Sequence, residues 1–495
     1  MALPARTEVL RRLTSERFDL VVVGGGITGC CIARDAARRG LRVALVDASD
    51  FSGGTSAATS RLIHGGLRYL KNFQVGVVRE SLRERRVWGV IAAGAVQPSP
   101  FLLPTFGVAN DAWMRLALTA YDTLAFDRNR GVADDARIPA SRHLSRTALL
   151  TRAPVLERPG VTGGLMYHDT VSEGPERLAL ACLDDAAAHG AVCVNYVRAV
   201  ARPAADQLEL DDTVTSTRLR VNGTSTVIAA GPWTDRVATS LGATTVPRLT
   251  RSKGIHLITR RLSDEALLVP VEGRHFFVIP WHDRTLIGTT DTPYLGDPDH
   301  LGVTEEEIHD FLRTINVGLP QAKLSRDDVT WAYAGLRPLA STGGNTYKAS
   351  RRSDIALIAP SLWSVIGGKW TTSRAVAEQC VDRMAREHGR PLAPCTTATA
   401  VLPWEPAAVP GDAADEAAAI ERALRDEMAH NLGDIVFRRT HLAILTAHLP
   451  IIERAQHVRR WADLVASHLG WSEARRDADI HAFVSACRRV SMWPA

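Results

Sequence analysis

The run Gly24-Gly25-Gly26-Ile27-Thr28-Gly29 constrains this chain more than any other feature. It fits G-x-G-x-x-G and lies between an apolar, β-branched run at residues 20–23 and a segment of helical periodicity at 32–39. Gly40 then stops the helix, and residues 43–46 form a second apolar run, so the opening reads strand, turn, helix, strand. In such a unit Gly24 permits the tight turn, Gly26 lets the backbone approach a pyrophosphate, and Gly29 allows close packing of helix on strand. The helix N-terminus, with Thr28 in its first turn, faces the diphosphate. Asp47 closes the second strand at the spacing where a carboxylate accepts hydrogen bonds from ribose hydroxyls. A bound dinucleotide follows, and the motif leaves open whether it is FAD or NAD.

The rest of the chain bounds the setting. Its 495 residues, 45% hydrophobic and 23% charged, are ordinary globular composition with material for two to four domains. A net charge of +5 over that length does not indicate nucleic acid, and it suits an anionic substrate or an anionic membrane surface. Seven cysteines without a CxxC spacing point to neither a zinc site nor a disulfide scaffold, so no metal is expected and a reducing, cytoplasmic setting is. The N-terminal stretch has no continuous apolar region, and no run of eighteen apolar residues occurs. The expectation is a soluble or peripheral protein.

Further along, residues 79–158 read as mixed and mainly helical, and ERLALACLDDAAAHGA and STVIAAGPW read as a helix and a strand of the sheet begun at Phe18. GIHLITR, HFFVIPW and TLIGTTD suggest an antiparallel sheet in a second region. DIALIAPSLWSVIGGKWTTSRAVAE reads strand, strand, Gly-Gly turn, helix and returns to the nucleotide domain. A Pro- and Ala-rich linker precedes a final helical region.

Six stretches carry a resemblance. FDLVVVGGGITG with TSAATSRLIHGGLRYL, then TDTPYLGDP, LSRDDVTWAYAGLRPL, VIGGKWTTSRAVAE and the C-terminal EMAHNLGDIVFRRTHLAI, in this order, resemble the FAD-dependent, quinone-linked glycerol-3-phosphate dehydrogenases. The resemblance implies an α/β fold: a glutathione-reductase-like Rossmann FAD domain, a discontinuous β-rich substrate domain and a C-terminal helical domain. The expected division gives the FAD-binding part residues 18–78, 160–245 and 345–395, and the substrate part 79–159 and 246–344. A linker at 396–410 and the helical domain at 411–495 follow. It also implies the reaction, sn-glycerol 3-phosphate to dihydroxyacetone phosphate, with electrons passed to a quinone, and contact with the inner face of the cell membrane.

The residues that the resemblance singles out match what this chemistry needs. A phosphate dianion needs convergent cations: Arg68 and Arg351 stand where the family holds the substrate, and Arg337 where its arginine meets the reacting oxygens. Lys369 is at an active-site position and would lower the pKa of the C2 hydroxyl or balance charge on the flavin, while Tyr69 and Thr289 supply hydroxyls. Loss of the C2 hydroxyl proton needs a base, for which His256 is the candidate. His64 is read as a neighbour of the flavin ring. Ser56, Thr59 and Ser60 lie on the loop after the second strand, and Gly231, Gly367, Gly368, Thr371 and Thr372 at the family's other FAD-binding turns.

One segment departs from the family. Where typical members carry paired acids after Y-x-D, this chain has Tyr167-His168-Asp169 and then Ser172-Glu173-Gly174-Pro175-Glu176. If that segment shapes the pocket, a related phosphorylated or phosphonate alcohol becomes the substrate. Other readings are an oxidase that uses O2, and a flavin-binding protein without catalysis, which the retained cations oppose. For membrane contact the candidates are a first helix with Leu3, Val9, Leu10 and Leu13, and the segment beginning at Arg438-Arg439. A homodimer is compatible with the sequence.

Overall fold

A computed structural model describes residues 3–340, 353–404 and 413–489. Two sheets organise them. The first has five parallel strands in the order Leu362–Ile366, Thr217–Ile228, Arg17–Val23, Val43–Val46, Val192–Val194. Asp354–Ala359 adds an antiparallel edge, and the hairpin Val197–Ala204 with Gln207–Asp212 extends from Thr217–Ile228. The central strands read as nearly unbroken apolar runs because helices cover the sheet. Helix Ile27–Arg38, with seven small or apolar side chains buried, packs between Pro175–Ala188 and Ser373–Glu387. Tyr196, at φ +57°, breaks what reads as one strand, VCVNYVRAV, into two.

The second sheet has ten strands and is largely antiparallel. Leu249–Arg260 lies against Val329–Ala340 along almost its whole length and against Arg284–Gly288 on the other side. Val161–Ser172 pairs with Val96–Phe106 in this same sheet, although residues 160–245 were expected in the FAD-binding part. Its partner lies more than fifty residues earlier in the chain, a pairing that local pattern does not encode. The chain returns to the nucleotide layer only at helix Pro175–Ala188.

Helices Ala413–Asp426, Ile451–Leu469 and Glu473–Arg488 close the described chain and share one apolar core with the second sheet through Ile420, Trp461 and Phe483. Both segments proposed for membrane contact are corrected here. Leu3, just before the first helix, and Val9 and Leu13 within it are buried in the core of the nucleotide layer, and Arg439 is buried against Asp50. An amphipathic helix of ten residues with its apolar face inside has none left for lipid.

Candidate active site

The glycine run forms the sharp turn its spacing predicts. Gly24 has φ +116°, and a Cβ there would lie 2.6 Å from the Ala229 carbonyl oxygen. At Gly29 a Cβ would stand 1.8 Å from the Gly24 carbonyl oxygen, so the helix reaches the strand only because that atom is missing. Gly29 acts in this packing and does not line the cavity, whereas Gly24, Gly26 and Thr28 do. Ser56 Oγ accepts the Ile27 amide at 2.9 Å and so sits across the start of the helix. Asp47 accepts the amides of Gly25 at 2.5 Å and Ser49 at 2.8 Å. Burial, opposed by these amides, pushes its carboxyl up to about 6.

The cavity these groups open onto has a volume of about 770 Å³, within the range of cofactor sites. Thr59, Ser60, His64, Gly231, Gly367, Gly368 and Thr371 also line it. Thr372 does not: its Oγ1 accepts the Lys369 amide at 3.3 Å and shapes the turn that presents Lys369. The Thr371 hydroxyl accepts the His64 amide at 3.2 Å, which ties this turn to the His64 loop. Burial, then the charges of Lys369 and Arg68, holds the His64 pKa well below the usual histidine value, so the ring is neutral beside the cavity.

Cations and hydroxyls gather in the same space. Arg68 donates to the Tyr69 hydroxyl at 2.9 Å and lies 4.8 Å from its ring centroid, and Lys369 Nζ sits 4.1 Å from the centroid of the same ring. Tyr69 is therefore a platform for two positive charges. Lys369 also donates to Ser81 at 2.5 Å. Arg337 Nη2 donates to Thr289 Oγ1 at 2.8 Å and to the Thr290 carbonyl at 3.0 Å, with Nη1 3.3 Å from Ser252 Oγ. Arg351 lies outside the described residues.

His256 is buried next to Arg337. Its Nε2 is 2.8 Å from Ser60 Oγ, its ring stacks on Tyr333 at 4.7 Å, and among the described residues Nδ1 has no hydrogen-bond partner. Burial, with the charge of Arg337, presses its pKa down to about 3. It is thus neutral, with a ring nitrogen available to accept a proton. Ser60, expected to touch the cofactor, is also the hydroxyl that orients this ring.

Sequence reasoning missed three supporting residues. A Cβ on Gly254 would lie 2.2 Å from Arg337 Nη2 and 2.4 Å from Thr289 Oγ1, and one on Gly288 would lie 2.0 Å from the His256 ring. An isolated glycine inside a strand pattern, as in SKGIHL and TLIGTT, is the signal for such close approach. Buried Asp169 accepts the Gly65 amide at 2.9 Å and Arg85 at 2.6 Å, and so fixes the loop that carries Arg68 and Tyr69. None of residues 172–176 lines the cavity, so the departure there puts no side chain into the pocket. We expect Gly254→Ala to keep the fold and the flavin, because the atoms it meets are side-chain ends that can move. Displacing Arg337 should lower kcat/KM by about tenfold or more, read by steady-state kinetics.

Residues 19–383 match the family described as FAD dependent oxidoreductase, and residues 369–476 the C-terminal domain of alpha-glycerophosphate oxidase. The chain is 36% identical over 404 residues to glycerol-3-phosphate dehydrogenase 2 of Mycobacterium tuberculosis, covering 80% of this chain and 68% of that one. It is 31% identical over 539 aligned positions to the glycerol-3-phosphate dehydrogenase of Synechocystis, covering 94% and 95%. The chain belongs to the FAD-dependent glycerol-3-phosphate dehydrogenase family. A crystal structure of the glycerol-3-phosphate dehydrogenase of Bacillus halodurans complexed with FAD superposes with a TM-score of 0.78 at 25% identity, covering 98% of this chain and 97% of that one.

FAD is accordingly the cofactor, and the residues present fit it. The positions nearest the helix start bear no side chain, the Asp47 carboxylate expected to meet the ribose lines the cavity, and the cavity continues to the cationic cluster. Protonation of Asp47 would remove the acceptor for the ribose hydroxyls. FAD affinity should therefore be full above about pH 6 and fall by up to about tenfold per unit below it. Titrating apoprotein with FAD between about pH 8 and pH 5 measures this, and Asp47→Asn should flatten the profile.

Proposed function

We propose that this protein oxidises sn-glycerol 3-phosphate to dihydroxyacetone phosphate and passes the electrons to a quinone. The observation that carries the reading is the convergence of Arg68, Lys369 and Arg337 with neutral, buried His256 on a single cavity. A phosphate dianion is recognised by convergent cations of this kind, and Arg68 is the cation assigned to it. Arg337, fixed by Thr289 and Ser252, meets the oxygens at C1 and C2. Bound FAD supplies the two-electron acceptor for the hydride that leaves C2.

The C2 hydroxyl gives up its proton as that hydride leaves. His256 takes the proton, and its Nε2 contact with Ser60 keeps the ring in one orientation. A neighbouring anion raises the proton affinity of a base that burial and Arg337 hold this low. The phosphorylated substrate brings that charge, which links binding to base strength. Lys369 and Arg337 favour the alkoxide character that develops at O2.

Delivery to a quinone calls for an apolar face, and one is exposed. Helix Gly107–Leu124 presents Val108 at 88%, Trp113 at 50% and Leu116 at 62% exposure, and Phe126 follows at 77%. Arg115 and Arg130 are exposed nearby, a composition suited to an anionic membrane surface. Among the described residues no helix is long and apolar enough to cross a membrane. Trp113→Asp combined with Leu116→Asp should lower co-flotation with anionic vesicles by about tenfold and leave turnover with a water-soluble quinone unchanged. Turnover itself tests the assignment: glycerol 3-phosphate with a soluble quinone should give dihydroxyacetone phosphate, whereas stoichiometric peroxide under air would make the protein an oxidase.

A further inference from the structure

The loop from Asp47 to Arg61 runs along the cavity from the ribose position to His256, and both of its ends are tied to one short stretch of the C-terminal region. At one end, buried Asp50 accepts from Arg438 Nε at 2.5 Å and from Arg439 at 2.8 and 2.9 Å. Asn195 adds a fourth donor at 2.9 Å. At the other end, buried Arg61 donates to the Glu173 carbonyl, lies 4.4 Å from the Trp281 ring centroid and pairs with Glu176 at 3.7 Å. Glu176 in turn contacts His441 Nε2.

The backbone at these contacts is unusual. Asp434–Arg439 is a π-type turn, a rare form that occurs frequently at functional sites. Arg61 at φ +59° and His441 at φ +58° face each other in the left-handed region, which costs a non-glycine residue energy that its surroundings must offset. Between the two ties the loop meets the catalytic groups, through Ser60 Oγ against His256 and the Thr59 carbonyl accepting from Tyr333 at 2.6 Å.

We infer that the C-terminal stretch 434–441 is a working part of the flavin site: Arg438, Arg439 and His441 clamp both ends of the loop and set Ser60 against His256. These three, with Glu176 and Arg61, are positioning residues. None of them lines the cavity, and they act through Asp50 and Ser60. The departure at Ser172–Glu176 then has a role, because it supplies the carboxylate that joins loop and C-terminal stretch.

The inference rests on the FAD site and not on the identity of the alcohol, so its first readout needs no substrate. Arg439→Met holoenzyme should release FAD with a dissociation constant raised about tenfold to a hundredfold, the range seen when a group that orients a ligand is removed. Its visible flavin circular dichroism should change, and Arg439→Lys should recover part of the affinity. At the other end, Glu176→Gln should lower kcat about tenfold with KM within about twofold, and Ser60→Ala added to it should cost little more. If Arg439→Met does not fold, Asp50→Asn with Arg439→Gln removes both buried charges together and is read in the same way. Variants that melt earlier but keep the native FAD affinity, flavin spectrum and kcat would overturn the proposal, since the clamp would then be structural only.

Discussion

A Gly29→Val protein is expected to purify without yellow colour. The first side-chain atom would fall 1.8 Å from the Gly24 carbonyl oxygen, and both partners in that clash are backbone. Neither can rotate away, so helix Ile27–Arg38 must leave strand Arg17–Val23 or the turn must open. Either movement takes the helix N-terminus from the diphosphate and disturbs the core beneath, where Cys30, Ala33 and Ala37 are packed tightly. FAD affinity should fall by about a thousandfold or more, measured by absorbance of the eluted protein and by FAD titration. Gly76, where a Cβ would meet nothing within 4 Å, supplies the control. Gly76→Ala should hold FAD like the parent and change stability by no more than about 0.5 kcal/mol. A fully flavinylated Gly29→Val protein would remove the turn from the cofactor site.

Arg337→Ala is expected to keep FAD and lose turnover. The guanidinium bonds Thr289, Thr290 and Ser252 and lies 4.0 Å from the Asp291 carboxylate, all partners supplied by the second-sheet side of the cavity. Its removal leaves the cofactor's grip intact and takes away the cation next to His256. A charge-stabilising group of this kind contributes about 3–4 kcal/mol to the transition state, so kcat/KM should fall by about a hundredfold to a thousandfold. Arg337→Lys should recover little, because the fork that reaches Thr289 and Ser252 together has no ammonium equivalent. Release of FAD from the alanine variant would place this arginine in the cofactor site instead.

What the chain showed before its structure divides along the reach of each contact. The turn at Gly24, the helix it opens and the carboxylate at Asp47 were legible because spacing within thirty residues encodes them. Arg68, Arg337 and Lys369 were found by resemblance, and the structure brings all three to one cavity. Arg438 and Arg439 were read as the start of a candidate membrane-contact segment, and the structure buries Arg439. Charged residues are usually exposed, and the partner that buries them, Asp50, lies 388 and 389 residues away. Val161–Ser172 was placed in the wrong layer for the same reason, since its partner strand is equally invisible to local pattern. Gly254 and Gly288 did carry a signal, a lone glycine within an apolar strand, but only the position of Arg337 and His256 shows what that space is for.

The direct test of a phosphorylated alcohol oxidised at this site is anaerobic mixing of the yellow protein with glycerol 3-phosphate. The flavin absorbance should bleach to completion in the parent, and Arg337→Ala should stay yellow with FAD bound. A parent protein whose flavin keeps its oxidised spectrum under saturating glycerol 3-phosphate would contradict the assignment.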